Sequence, residues 1–243
     1  AVKLGIGMGT SVIGASAPAG LVGYWQMNEA SGSRASAVGE GNAAAEVGGS
    51  ITSATGLIGN CAAITPGKYL ALTGDQIEAM IPLGASYTAA GWVQCPSGFG
   101  AGVYIAGPMH WDVNSGGYTW RFRTLLYGPP PTGGWGWHVS CENGSGGPYQ
   151  IAIADYTAWI FVALTWDSAS ETATFQVNDA ADRTFTATAR TRTLGDVKCP
   201  FTFPHGVYFY TETRVDECSL WSRALSRAER DELYNGGAGH ILV

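Results

Sequence analysis

Val215-Asp216-Glu217-Cys218-Ser219-Leu220-Trp221-Ser222-Arg223-Ala224-Leu225-Ser226 reads as a strand that runs straight into a helix start. Successive strand residues face opposite ways. Asp216, Cys218 and Leu220 therefore share one face, and Val215, Glu217, Ser219 and Trp221 the other. Cys218 and Leu220 are expected in the core, with Asp216 on the same parity near the strand's start. Ser226 with Glu229 three residues on is a capping box, in which each side chain answers the other residue's amide. Leu233 and Tyr234 anchor the helix, and Gly236-Gly237 end it in a left-handed cap.

Outward from this stretch the chain reads as strand, turn, strand. Strands are expected over 21–25, 68–72, 86–94, 103–106, 118–127, 135–142, 159–167, 171–178, 201–210 and 214–221. Residues 30–56 are rich in Gly, Ala and Ser and read as loops with short strands. The segment Trp159-Ile160-Phe161-Val162-Ala163-Leu164-Thr165-Trp166-Asp167 is the most apolar and is expected to be central. Gly128-Pro129-Pro130-Pro131-Thr132-Gly133-Gly134 cannot be strand. Many short strands and one terminal helix predict an all-β protein, an antiparallel two-sheet jelly-roll sandwich over residues 21–243. Residues 1–20 form a Gly-rich N-terminal arm.

Composition narrows the function. Only 13% of the 243 residues are charged, about half the usual ~25%. Glycine accounts for 35 residues, while 46% of the chain is hydrophobic and 12% aromatic, which excludes disorder. The net charge of −6 with three lysines, Lys3, Lys68 and Lys198, argues against nucleic-acid binding and against a basic membrane patch. No apolar run is long enough to span a membrane. The five cysteines include no CxxC pair, so zinc and iron–sulfur sites have no support and buried thiols are expected. The N-terminal segment is too broken by glycine for a secretory signal, and a start at Ala1 fits loss of an initiator methionine.

Several segments resemble the laminin-G-like, concanavalin A-like domains. Leu21-Val22-Gly23-Tyr24-Trp25-Gln26-Met27-Asn28-Glu29-Ala30-Ser31-Gly32 is similar to that family's opening GLVGYWxLDExSG. Gly56-Leu57-Ile58-Gly59-Asn60-Cys61-Ala62 resembles its GxxGNAL turn, and Ala90-Gly91-Trp92-Val93 its SAWV strand. Residues 159–167 resemble WHHVAVTYD, and 215–226 resemble IDEVRIWNRALS. The segments fall in the family's order from about residue 20 to 237. The resemblance implies the sandwich fold and a structural calcium, for which Asn28, Glu29 and Asp216 are the matching ligands. The family's Asp-rich loop is replaced here by Ser36-Ala37-Val38-Gly39-Glu40-Gly41-Asn42-Ala43. No other cofactor is implied.

Catalytic patterns are missing. The paired-carboxylate ExDxxE strand of fold-related glucanases does not occur. Neither does a GxSxG nucleophile elbow or a phosphate-binding GxxxxGK[ST]. Glu229-Arg230-Asp231-Glu232 reads as a solvated helix face, and His110 and His205 as loop histidines. The chain is therefore expected to be non-enzymatic. Aromatics supply the binding lead: Trp111, Tyr127, Trp135 and Trp137 are the glycan-stacking candidates, because sugars need a flat aromatic platform with polar neighbours. Trp135, Trp137, Val139 and Cys141 share parity, so some of them belong to the core. Leu4, Ile6, Met8, Val12 and Ile13 are the candidates for docking the arm on a neighbouring chain. The expected role is a structural or adhesion component of a virus particle, a bacteriophage tail, baseplate, fibre or head-decoration protein. It would work as an oligomer or part of a larger particle, with a cell-surface glycan as a further partner. A secreted carbohydrate-binding module and a glycan-cleaving enzyme are the alternatives.

Overall fold

The computed structural model describes residues 19–39, 41–82, 84–96, 104–115, 118–127, 136–140, 149–152, 157–186, 201–203 and 212–242, with 104–152, 185–186 and 201–203 given by strand pairing. Its strands are β1 (Leu21–Trp25), β2 (Ala45–Val47), β3 (Thr52–Thr55), β4 (Asn60–Ile64), β5 (Tyr69–Leu72), β6 (Tyr87–Gln94), β7 (Tyr104–Ser115), β8 (Tyr118–Tyr127), β9 (Gly136–Ser140), β10 (Tyr149–Ala152), β11 (Ile160–Asp167), β12 (Thr172–Val177), β13 (Arg183–Thr186), β14 (Phe201–Phe203) and β15 (Thr213–Trp221). Helix α1 spans Gly74–Met80 and α2 spans Arg227–Tyr234. The first sheet has the order β13-β12-β11-β6-β15-β4-β3, with β1 also pairing with β15. The second has the order β10-β9-β8-β7-β14-β5-β2. All the pairings within these sheets are antiparallel. The expected all-β, two-sheet architecture stands. The N-terminal arm up to residue 18, with Leu4, Ile6, Met8, Val12 and Ile13, lies outside the described residues.

Both faces of the first sheet are buried, which explains the continuous apolar run of β11. Ile160, Val162 and Leu164 join Tyr87, Ala89, Val93, Cys218 and Leu220 in the core that also takes Leu70 and Leu72 from the second sheet. Phe161 and Ala163 point the other way. They pack with Ala90, Trp92 and Trp221 under Leu225, Leu233 and Leu242. Tyr234 stacks on Trp92 with ring centroids 5.8 Å apart. The C-terminal segment is thus a lid over the outer face of this sheet. A half-buried face would give alternation; burial on both sides removes it.

The capping box is present: Ser226 N donates to Glu229 Oε2 at 2.8 Å, and Glu229 N donates to Ser226 Oγ at 3.3 Å. The left-handed cap falls on Asn235 (φ 47°), one residue before the glycines. Helix α1 adds a second helix to the expected one. It is set by a Thr73–Gln76 capping box and buries Ile77 and Met80. In the 229–232 stretch Asp231 and Glu232 are exposed and Glu229 half-exposed, as the solvated-face reading expects, and only Arg230 departs from it. Arg230 is buried, and Arg223 grips Glu229 at 2.5 Å. Cys61, Cys95 and Cys218 are buried free thiols, as expected; Cys141 and Cys199 lie outside the described residues.

Candidate functional site

Strand β15 breaks its own alternation. Its register against β6 shifts between Asp216 and Ser219, and Glu217 takes a left-handed φ of 48°. This is a β-bulge, one extra residue in the strand. Val215 therefore joins Cys218 and Leu220 in the inter-sheet core. Asp216 pairs instead with Trp92, on the lid side. The strict parity expected for Asp216 and Val215 is corrected accordingly, because the inserted residue exchanges the two faces.

Asp216 and Glu217 form a buried carboxylate pair. Asp216 Oδ2 accepts from Leu57 N at 2.8 Å and Ile58 N at 3.1 Å, and Oδ1 accepts from Glu217 N at 3.0 Å. A Cβ on Gly56 would come within 2.6 Å of Asp216 Oδ2, and one on Gly59 within 2.7 Å of Asn28 Oδ1. The two glycines of the 56–59 turn thus make room for the side chains that hold it. Tyr24 donates its hydroxyl to Glu217 Oε2, while Glu217 Oε1 is buried without a hydrogen-bond partner. Burial pushes Asp216 up to about 7, against the pull of its three backbone donors. Burial also pushes Glu217 up to about 8, helped by the charge of Asp216 and opposed by the Tyr24 hydrogen bond.

The three residues expected to hold calcium do not form a cage. Asn28 Oδ1 accepts from Asn60 N at 2.8 Å, and Asp216 is committed to the same turn. Glu29 turns elsewhere: its Oε1 accepts from Ala35 N at 2.7 Å, and its Oε2 lies 4.0 Å from the buried Arg34 guanidinium. Oxygens already facing N–H groups and a guanidinium offer no hard-cation site, which needs several free oxygens converging on one point. Among the described residues no cluster of three or more His, Cys, Asp or Glu could hold a metal. Thermal unfolding in calcium and in excess chelator should give the same midpoint. A higher midpoint in calcium would restore the metal.

A candidate binding surface follows the strand register across the second sheet. Ala45 pairs with Ala71, Ala71 with Thr202, Thr202 with His110, His110 with Arg123, and Arg123 with Ser140. Leu70 and Leu72, which flank Ala71, are in the core. This six-strand row therefore runs along the face away from the core. Residues in phase with it on β7, β8, β9 and β10 include Asp112, Arg121, Leu125, Tyr127, His138 and Gln150. His110 is thus a strand residue and not a loop histidine. The register shift between Ala106 and His110 takes up Gly107 and Pro108, whose turn-like sequence hid the strand.

The aromatic candidates divide on this frame. Tyr127 pairs with Gly136 and is in phase with Arg123 along β8. Trp137 pairs with Leu126 and Trp111 with Phe122, both at register positions of the opposite phase. Trp135 lies outside the described residues, as does His205. Arg121 and Arg123 were not singled out from sequence. The signal was present in the alternation Trp120-Arg121-Phe122-Arg123.

No family model and no curated protein matches the chain. Solved structures do. Trypanosoma rangeli sialidase in complex with sialic acid aligns with a TM-score of 0.63 and 14% identity, over 94% of this chain and 35% of that one. Domain 4 of a GH43 extracellular arabinanase from Geobacillus stearothermophilus, in complex with arabinotriose, aligns at 0.55 and 17% identity, over 90% of this chain and 98% of that one. The binding domain of Paraclostridial Mosquitocidal Protein 1 aligns at 0.56 and 14%, over 90% and 52% respectively. At these identities the likeness is one of fold, a β-sandwich. The chain spans about a third of the sialidase. Because the same fold is built into that enzyme's chain, the expectation of a non-enzymatic protein does not stand.

Proposed function

We propose that this chain is a glycan-binding β-sandwich module, laminin-G-like in character, with its ligand on the outer face of the second sheet. One observation carries the reading. Of the four sheet faces, two make the core and a third is covered by residues 222–242, while the fourth carries the Thr202–His110–Arg123–Ser140 row. Sugars are held by hydrogen-bonding side chains on a rigid strand surface with an aromatic ring at hand, and Tyr127 sits at the end of this row's strand. A fold neighbour solved with arabinotriose lends support.

A glycan array probed with the full chain tests this. Retention on at least one oligosaccharide, lost in Tyr127→Ala or Arg123→Gln but kept in a variant on the lid side such as Glu232→Gln, is the expected result. No retention on any glycan overturns the module reading. Display on a virus particle, through Leu4, Ile6, Met8, Val12 and Ile13, is the narrower form of the proposal. It is supported by the scarcity of charge, 13% of residues, which leaves little to oppose association. Fixed-stoichiometry co-purification with particles, lost on deleting residues 1–20, would carry that form. A free monomer retained on a glycan column would favour a secreted module.

A further inference from the structure

We propose that residues 239–242 form a strap that opens on its own, ahead of the helix beside it, and so controls access to a groove on the lid side of the first sheet. The strap is fastened to α2 and to the sheet in different ways. Its hydrogen bonds run back to the end of the helix. Asn235 Nδ2 donates to Gly239 O at 2.8 Å, Gly239 N donates to Tyr234 O at 3.4 Å, and His240 Nδ1 lies 3.3 Å from Glu232 O. Toward the sheet the strap relies on packing. Leu242 is buried in the cluster that holds Tyr24, Trp92 and Trp221. A Cβ on Gly239 would come within 2.8 Å of Leu57 Cδ2 and 3.2 Å of Ile58 Cδ1. The Leu242 amide also points its N–H at the Tyr24 hydroxyl. The chain enters the strap through Gly236 (φ 60°), Gly237 (φ 98°) and Gly239 (φ 71°), a backbone that glycine can take up and leave at little cost. Helix α2 is held down by other means: the Arg230 guanidinium donates to Gln176, Thr165 and Asp182.

What lies behind the strap favours its opening. The Tyr24 hydroxyl that Leu242 faces donates to Glu217 Oε2, and Glu217 Oε1 is buried without a hydrogen-bond partner. Asp216 and Glu217 are both buried, and among the described residues neither forms an ion pair. Asp216 is answered by three backbone amides, so the unmet oxygen belongs to Glu217 alone. A polar atom closed off from water without a partner raises the free energy of the closed state, and the penalty is relieved when water reaches it. The two parts of the cover therefore lose different things on opening. Lifting α2 strips a buried guanidinium of its acceptors. Lifting the strap exposes Leu242 but lets water in toward Glu217. Local openings follow the boundary that loses least, and here it falls at the glycines between Tyr234 and Ile241. The groove so uncovered is lined by Leu57, Ile58, Trp92 and Tyr24, with Glu217 one hydroxyl behind.

Native-state hydrogen exchange of the full chain at pH 7, resolved by residue, tests this. It compares the amides of Gly239 and Leu242 in the strap, of Arg230 in α2, which donates to Ser226 O at 3.1 Å, and of Val162 to Leu164 in the central strand β11. The strap amides should be at least about 100-fold less protected than those of β11, with Arg230 well above the strap. Glu217→Gln keeps the shape and an oxygen for the Tyr24 hydroxyl. It should raise the protection of the strap at least about ten-fold, and that of β11 with it, because strap opening and global unfolding both bring water to this residue. Simple fraying would behave otherwise: β11 would gain protection in Glu217→Gln while the strap stayed as it was, and that result overturns the proposal. Strap amides as well protected as β11 overturn it too. So does a common protection for the strap and Arg230, which would mean that the cover lifts as one piece. Should Glu217→Gln fail to fold, the order of protection in the unaltered chain decides, and a strap inseparable from α2 is then the overturning result.

Discussion

Replacing Arg230 by alanine should lower the stability of the chain by about 3–5 kcal/mol, the range for breaking a buried charged network by removing one partner. Arg230 is 3% exposed and reaches from α2 into the first sheet. Its Nε donates to Gln176 Oε1 at 2.9 Å, and its Nη1 to Leu225 O at 2.7 Å and Thr165 Oγ1 at 3.4 Å. Its Nη2 donates to Asp182 Oδ2 at 2.5 Å. Alanine would leave these acceptors without their donor in a place that water reaches poorly, and each such loss is costly. It would also open a cavity beside Leu225 and Leu233. Urea unfolding of the variant, followed by Trp fluorescence, measures the effect. Trp92 and Trp221 lie in the cluster under α2 and should report the loosening of the lid. Arg230→Met fills the volume but meets none of the acceptors, so it should recover only part of the loss. A loss below about 1 kcal/mol, the level of a surface pair, would mean that the lid is held by its apolar contacts alone.

What could be read in advance follows from how local each signal is. Strand β1 was legible to the residue because its apolar run is bounded by Gly20 and by the break after Trp25. Helix α2 was legible because a capping box is a four-residue feature. Helix α1 has the same device at Thr73–Gln76, but its seven residues bury only Gly74, Ile77 and Met80, too short a span to show a period. The bulge at Asp216–Glu217 was hidden, because it exists only in relation to β6 and no single-strand pattern encodes it. The binding face was half visible. Alternation through Trp120–Arg123 separates two faces, but it does not say which one looks away from the core. That assignment needed Thr202 and Ala71, distant in sequence, to be set against His110 by strand pairing. Two of the three calcium candidates, Asn28 and Asp216, meet at the 56–60 turn, where their oxygens serve backbone amides that sequence alone does not locate.

The stability of the chain should fall as pH rises from about 4 to 8, and Glu217→Gln should remove much of that fall. Unfolded Asp and Glu titrate near 4, whereas Asp216 and Glu217 in the fold are pushed up to about 7 and about 8, chiefly by burial. In that window the native chain holds protons that the unfolded chain has released. Their stabilising effect is complete below about pH 4 and is lost as pH climbs through the folded values. The geometry orders the two groups. Asp216 accepts three backbone N–H bonds through its two oxygens, an arrangement suited to the ionised form. Glu217 has one oxygen at Tyr24 and the other buried without a partner, which suits the neutral acid. Glutamine keeps that neutral shape at every pH, with an oxygen left for the Tyr24 hydroxyl. At pH 8 the variant should therefore be the more stable protein, by a difference of order 3 kcal/mol, while near pH 4 the two should be alike. Asp216→Asn should behave in the opposite sense and weaken the fold even at pH 5, because its amide would turn a donor toward backbone N–H groups that need acceptors. Glu229 limits the acid side. The Arg223 guanidinium holds its carboxyl down to about 2, so its contribution is present above about pH 4 and fades as pH falls toward 2. Chemical unfolding of wild type, Glu217→Gln and Asp216→Asn across pH 3 to 9 resolves all three slopes. A wild-type curve that stays flat between pH 5 and 8 would show both carboxylates already ionised in the fold, as they are in the unfolded chain, and would overturn the prediction.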